Sequence, residues 1–151
     1  MAMVFPTIIG RNLHKKTTII PDDFSTKNII IIVAFQKWHQ ENVNKCISSL
    51  ENAGLNTTHD ILEVPVIRSS SWLKQMRLDG LMRAAFRDPN IRQRTVTVYI
   101  DKQHFRNSLN IPDEESIHWF LVDYIDKNIL LRGENQINTE DIEAIKSASK
   151  I

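Results

Sequence analysis

The chain has 151 residues, of which 42% are hydrophobic and 25% are charged, and its formal net charge is +1. We therefore expect one globular domain over residues 1–151. No apolar stretch reaches the roughly 18 residues of a membrane span, and no secretory signal is recognisable, so we expect a cytoplasmic protein with no membrane partner. The single cysteine, Cys46, excludes an intramolecular disulfide and a multi-cysteine metal site.

The first third of the chain predicts two strands and a helix. Residues 17–20 have the pattern of a short strand and precede the turn-forming Pro21-Asp22-Asp23. The continuous β-branched run over residues 29–35 predicts a strand buried on both faces, as in a parallel sheet. Residues 38–53 predict a helix that ends at Gly54. Its apolar face consists of Val43, Cys46, Ile47 and Leu50.

The middle of the chain predicts two further pairs of strand and helix. Residues 61–67 form an apolar run, in which Pro65 predicts either the end of the strand or an edge strand. Serines at 69–71 are candidate N-caps for a helix over residues 72–86, which Asp88-Pro89-Asn90 ends. Residues 95–100 alternate as a strand, and Asp101 caps a short helix that reaches Leu109. The apolar face of the first of these helices consists of Leu78, Leu81, Met82, Ala85 and Phe86.

The last third predicts a β-hairpin and a terminal helix. Residues 117–122 and 129–131 are apolar and flank a turn at 124–128, and Gly133 is expected to end the hairpin. Asn138-Thr139-Glu140 opens the last helix. A parallel half followed by a hairpin and a helix predicts an α/β sandwich with a mixed sheet.

Three stretches in this order resemble the thioredoxin superfamily, nearest its TlpA-like and peroxiredoxin-like branch, over about residues 10–148. They are IIIIVAFQKW, VYIDKQHFRNSLNI and IHWFLVDYIDKNILLRGENQINTEDI. In that family they correspond to the strand before the redox cysteines, a strand–Asp–helix segment and the terminal hairpin. The resemblance implies a three-layer sandwich with a central mixed sheet, a C-terminal β-hairpin and a helix.

The same alignment implies that the redox centre is missing. If Trp38 takes the place of the family's tryptophan, His39 and Asn42 take the places of the two cysteines. Ile117 takes the place of the family's cis-proline, and we expect a trans bond there because a cis bond before a non-proline residue costs about 2.5–4 kcal/mol. Disulfide oxidoreductase activity is therefore not expected, and the sequence leaves open whether the chain is an enzyme.

Two residues are weak candidates for chemistry. Cys46 lies on an apolar helix face and is expected in the core, but a single-cysteine thiol peroxidase or redox sensor that uses Cys46 is the alternative. His39 could act as a general base or a ligand, or it could be a surface residue left where a cysteine once stood. The histidines lack metal-ligand spacing, so we expect no metal and no cofactor.

Charge is unevenly distributed along the chain. Residues 68–94 carry seven basic and two acidic side chains, and residues 113–143 carry nine acidic and two basic ones. Both segments are expected to be solvated faces, and together they offer a route to a homo-oligomer. Nucleic-acid binding is the weaker interpretation, because Phe86 belongs to a predicted apolar face and the acidic half would repel phosphate.

These observations favour a redox-inactive thioredoxin-like domain that acts by binding a protein or peptide. The resemblance implies a chaperone-like or assembly-factor role with an unknown partner. A partner would lie in extended form, held by edge-strand hydrogen bonds and aromatic pockets. The predicted binding surface consists of Trp38, His39, Gln40, Asn42, Pro65, Ile117, His118 and Trp119.

Overall fold

The structure is a computed structural model that describes residues 3–68 and 72–148, with side chains from residue 74 onward in the second range. A turn of 3₁₀-helix at Lys37–His39 leads into the first α-helix. The strands are β1 (Ile8–Asn12), β2 (Thr17–Ile20), β3 (Ile29–Ala34), β4 (Asp60–Arg68), β5 (Val96–Ile100), β6 (His118–Val122) and β7 (Ile129–Glu134). The helices are α1 (Gln40–Asn52), α2 (Leu55–Thr58), α3 (Trp72–Ala85), α4 (Pro89–Arg94), α5 (Lys102–Ser108) and α6 (Thr139–Ala148).

The strands form one mixed sheet in the order β2-β1-β5-β4-β3-β6-β7. The three inner strands β3, β4 and β5 are parallel, and the remaining pairs are antiparallel. β3 lies between β4 and β6 and is buried on both faces, as its run of isoleucines predicted. The mixed sheet, the hairpin of β6 and β7 and the terminal helix α6 confirm the predicted α/β architecture.

A hydrophobic core lies on each face of the sheet. One core contains alternate residues of the inner strands together with Phe5 of the N-terminal segment and Phe105 of α5. The other core is closed by α1, with a contribution from Ile145 of α6. The predicted apolar face of α1 is buried in full, because Val43, Cys46, Ile47 and Leu50 all belong to this second core.

Sequence reasoning missed the strand β1, which joins β2 to β5. Its alternation is hidden by Gly10, which lies at a buried position in the strand. A Cβ atom at Gly10 would be 2.5 Å from the carbonyl oxygen of Thr97. Gly10 therefore interrupts the apolar alternation in the sequence, and its missing side chain lets the backbones of β1 and β5 approach each other.

Two expectations about strand ends were wrong. β4 runs through Pro65 and is an inner strand, because its ladder to β3 ends at Pro65 and its ladder to β5 begins at Val66. Pro65 is the last β4 residue paired with β3, and β4 also contacts the other side at the bridge between Glu63 and Thr95, so the missing N–H of the proline does not make β4 an edge strand. Gly133 does not end the hairpin but lies within β7, where a Cβ atom would be 2.5 Å from the ring of Trp119.

The segment between β4 and β5 contains α3 as predicted and also α4, which was not predicted. α4 begins at Pro89, and the side chain of Asp88 caps it by accepting a hydrogen bond from the Asn90 N–H at 2.8 Å. The residues expected to break a helix therefore start a new one. The serines predicted to cap α3 lie outside the described residues.

Candidate functional site

His39, which the resemblance places at the first cysteine position, is fully buried, with an exposed fraction of 0%. Its Nδ1 accepts hydrogen bonds from the N–H groups of Phe35 at 3.1 Å and Gln36 at 3.2 Å. The ring proton is therefore on Nε2, which donates to the carbonyl oxygen of Glu115 at 3.2 Å. The expectation of a surface residue was wrong: His39 clamps the end of β3 to the loop before β6, and both ring nitrogens are engaged.

Gln40 connects the start of α1 to a buried carboxylate on β4. Its amide nitrogen donates to Glu63 Oε1 at 3.1 Å, and Arg94 Nε donates to Glu63 Oε2 at 3.1 Å. Glu63 is buried, and the ion pair with Arg94 compensates its charge. Sequence reasoning missed this network, although a glutamate within the apolar run of residues 61–67 is a signal for a buried charge that needs a partner.

The predicted binding surface is divided in the structure. Trp38 is exposed by 60% and stacks edge-on against His39, with ring centroids 4.3 Å apart. Asn42 and Pro65 are half-buried.

Three further members of that surface, Ile117, His118 and Trp119, are buried. They support the sheet from within, so they cannot form an exposed surface as expected. The bond before Ile117 is trans as expected, because the one cis bond among the described residues precedes Pro21.

A groove of about 540 Å³ lies where β3 and β4 end, between the start of α1 and helix α3. Its volume is within the range of about 300–1,000 Å³ that is common for binding sites. The walls combine Phe35 and Pro65 from the strand ends with the apolar side of α3. The lining residues are Ala34, Phe35, Gln36, Lys37, Gln40, Pro65, Val66, Ile67, Leu78, Leu81, Met82, Ala85, Phe86 and Lys102.

The apolar side of α3 belongs to neither core, although sequence reasoning gave this helix a core-facing stripe. Leu81 is exposed by 61%, while Leu78, Met82 and Phe86 are half-buried along the groove. α3 therefore forms one side of the groove without covering it, since one of its apolar flanks faces open space.

Polar contacts attach α3 to the sheet. Asp79 accepts from Arg11 Nη2 at 2.9 Å and from the hydroxyl of Tyr99 at 2.7 Å. Burial, followed by the hydrogen bond to Asp79, raises the pKa of Tyr99, which keeps this donor protonated. Arg83 Nε adds a bond to the carbonyl oxygen of Leu13 at 2.9 Å. These contacts hold the helix in place without closing the groove.

Cys46 is exposed by 1%, and its thiol donates to the carbonyl oxygen of Asn135 at 3.7 Å. Burial raises the pKa of this thiol, which disfavours the thiolate that a peroxidase or redox sensor needs. The placement agrees with the expected core role. It gives no support to the alternative in which Cys46 is a reactive nucleophile.

Three of the seven basic side chains of residues 68–94 are directed inward. Arg83 and Arg92 donate to backbone carbonyl groups, and Arg94 pairs with Glu63. In the acidic segment, Glu114 pairs with Lys102 and Arg106, and Asp123 accepts backbone N–H groups of its own turn. Neither segment is thus a uniform charged face.

Residues 3–68 and 72–148 contain neither a metal-ligand cluster nor a membrane-spanning helix. No cluster of three or more metal-ligating side chains is present in these ranges. No helix described there is long and apolar enough to cross a membrane.

Comparisons with known proteins identify the fold. No protein-family model and no curated protein sequence matches the chain. The structure is similar to the thioredoxin domain of a thiol-disulfide oxidoreductase from Bacteroides vulgatus, with 16% identity, coverage of 97% of this chain and 96% of that one, and a TM-score of 0.57.

Two other solved structures give the same result. An exposed lipoprotein thioredoxin from Streptococcus pneumoniae is 10% identical over 94% of this chain and 99% of that one, with a TM-score of 0.61. A member of the Sco family of cytochrome c oxidase assembly proteins is 11% identical over 100% and 96%, with a TM-score of 0.63. At these identities the likeness concerns the fold, which is thioredoxin-like, in a chain whose single cysteine precludes a Cys-x-x-Cys pair.

Proposed function

We propose that this thioredoxin-like domain is redox-inactive and acts by binding a segment of another protein in the groove beside α3. The resemblance implies that His39 and Asn42 take the places of the two cysteines, and the one thiol is buried. The groove lies directly against the turn that carries His39. The observation that carries the proposal is the apolar flank of α3, which borders an open groove and belongs to neither core.

The structure changes the expected mode of binding. β3 and β4 are inner strands, and the edges of the sheet are β2 and β7, so a peptide cannot add a strand at this site. A partner would instead insert apolar side chains between α3 and the strand ends, where each buried side chain contributes about 1.5–3 kcal/mol. This mode is helix-in-groove or side-chain-in-pocket recognition rather than β-augmentation.

The test is a selection from a displayed random peptide library on the wild-type domain. Selected peptides are then measured against Leu81→Asp, which places a charge on the groove wall, and against Ile125→Asp. Ile125 is a matched control because it is also a large apolar side chain, exposed by 73%, but lies in the hairpin turn. We expect Leu81→Asp to abolish binding and Ile125→Asp to preserve it.

Equal binding to both variants would place the peptides elsewhere and contradict the proposal, as would a library that yields no specific peptide. Redox inactivity is checked separately by the reduction of insulin disulfides. We expect the wild-type protein and a Cys46→Ser variant to give the same background rate. A rate above background that requires Cys46 would favour the thiol alternative.

A further inference from the structure

The groove carries an excess of positive charge. Two lysines, Lys37 and Lys102, are among its lining residues, and no carboxylate is among those described. Lys37 is exposed at the turn before α1. Lys102 lies at the start of α5, where its ammonium group donates to the carbonyl oxygen of Phe35 at 3.1 Å and to Glu114 at 3.2 Å.

The first half of α3 adds two basic residues, Lys74 and Arg77, next to this groove. Lys74 lies four residues before Leu78, and Arg77 lies four residues before Leu81. Side chains four residues apart are neighbours on a helix, so each cation lies one turn from an apolar residue of the groove wall. The rim of the groove thus alternates basic and apolar groups.

Acidic side chains close to these elements in the chain already have partners, and Asp101, next to Lys102, accepts a hydrogen bond from the His104 N–H at 3.0 Å. Asp79 faces the sheet, where it binds Arg11 and Tyr99. Glu63 is buried in its pair with Arg94, and Glu41 lies one turn from Lys45 in an exposed pair. Among them only Glu114 contacts a groove lysine, and it divides its two oxygens between Lys102 and Arg106.

We propose that the natural occupant of the groove is an acidic, amphipathic segment of a partner protein. The segment inserts apolar side chains against α3 and places carboxylates beside Lys37 and the basic residues of the rim. This inference rests on the proposed function and adds the chemical class of the partner to it. Complementary charge of this kind increases the association rate and excludes basic competitors more than it adds affinity.

Two other anionic occupants fit the groove less well. A nucleic acid needs a long row of outward-facing cations, and this row is shortened because Arg83, Arg92 and Arg94 of residues 68–94 are directed into the protein. A second copy of this chain would have to present its acidic segment. Asp123 and Glu114 of that segment already serve turns and ion pairs.

The experiment uses two labelled peptides of about 16 residues, long enough to form a helix. Both carry leucine at every third or fourth position, with glutamate at the remaining positions of one and lysine in the other. Fluorescence anisotropy measures their affinities for the wild-type protein and three variants at low and high salt. Lys37→Glu reverses a groove charge, Lys45→Glu makes the same change on the exposed side of α1, and Leu81→Asp disrupts the apolar wall.

We expect the acidic peptide to bind at least about tenfold more tightly than the basic one at low salt, with the difference shrinking as salt screens the charges. Lys37→Glu should weaken the acidic peptide about three- to tenfold, and Lys45→Glu less than twofold. Leu81→Asp should abolish the binding of the acidic peptide.

The contrary outcomes separate this inference from the proposed function. Equal binding of both peptides, lost in Leu81→Asp, would overturn the acidic partner and leave the binding role standing. Binding of neither peptide, or binding that Leu81→Asp leaves intact, would overturn both. A concentration-dependent self-association that Lys37→Glu abolishes, seen by light scattering, would make a second copy the occupant and overturn this inference.

Discussion

α1 and α3 lie on the same face of the sheet, yet only α1 is sealed into a core. α1 contacts Glu63 of β4 through Gln40. Glu63 in turn pairs with Thr95, the residue directly before β5. α3 contacts Thr97 and Tyr99 of β5. These residues are two and four positions after Thr95, so their side chains point to the same face of the sheet as that of Thr95. The two helices therefore differ in what lies beneath them and not in which face they cover.

The sheet under each helix explains the difference. α1 covers the inner strands, where isoleucines such as Ile30 and Ile32 form its apolar floor. α3 covers β5 and β1, whose side chains on this face include Arg11, Thr97 and Tyr99. An apolar stripe on a helix is buried only if the facing surface is also apolar, so α3 keeps its stripe at the groove.

The largest expected difference between α1 and α3 is in the reactivity of a cysteine placed in each helix, the native Cys46 in α1 and an introduced one in α3. Cys46 should react with iodoacetamide in the native protein at least about a hundredfold more slowly than in denaturant, because a buried thiol reacts only after the structure opens. In a Cys46→Ser background, Leu81→Cys should react at nearly the denatured rate. Fast native labelling of Cys46 with a midpoint below about pH 8.5 would contradict this and revive the thiol alternative.

Truncation of one leucine in each helix tests the packing directly. Leu50→Ala in α1 should lower the free energy of unfolding by about 2–5 kcal/mol, because it empties part of a closed core. Leu81→Ala in α3 should change it by no more than about 0.5 kcal/mol, because the side chain is exposed. Urea unfolding measures both values. A large loss for Leu81→Ala would mean that the groove is closed in solution.

The clamp at the start of α1 should also contribute to stability. His39→Ala leaves two backbone N–H groups without their acceptor, and each buried unpaired donor costs roughly 1–3 kcal/mol. Lys37→Ala, in the same turn but exposed, is the control and should be nearly neutral. If His39→Ala unfolds at the same urea concentration as the wild type, the hydrogen bonds of His39 do not stabilise the loop. The burial of α1 would then depend on Val43 and the core residues that follow it.

Mild acid should lower the free energy of unfolding by a smaller amount than these substitutions, through the buried histidines His59 and His118. Burial lowers the pKa of His59 and His118 below the ordinary value of about 6.5, so the unfolded chain binds more protons than the folded one. The stability that these neutral histidines confer is complete above that value. It is lost as the pH falls through it toward their lower native pKa values.

Urea unfolding at several pH values between about 7.5 and 5.5 measures this slope. His118→Gln should make this slope shallower, because it removes one of the two histidines whose pKa burial lowers. A slope that His118→Gln does not alter would mean that the pKa of His118 is the same in the folded and the unfolded chain, and would contradict the effect of burial.

Local sequence signals located most elements correctly, and they failed where a residue served a neighbour across the sheet. Gly133 was expected to end the hairpin, and the strand around Gly10 was missed, because the sequence does not show the ring of Trp119 or the carbonyl of Thr97 against these glycines. His39 was expected at the surface, since nothing in the order of residues shows that two N–H groups and the Glu115 carbonyl surround it.

The sequence by itself determined the buried strand β3, the amphipathic α1, the hairpin and the absence of a cysteine pair, because these follow from local periodicity and residue identity. Only the tertiary structure decided that α3 faces an open groove, that Trp119 is hidden and that Glu63 has a partner. Those features depend on which surfaces meet, and contacts between distant segments leave no pattern within either segment alone.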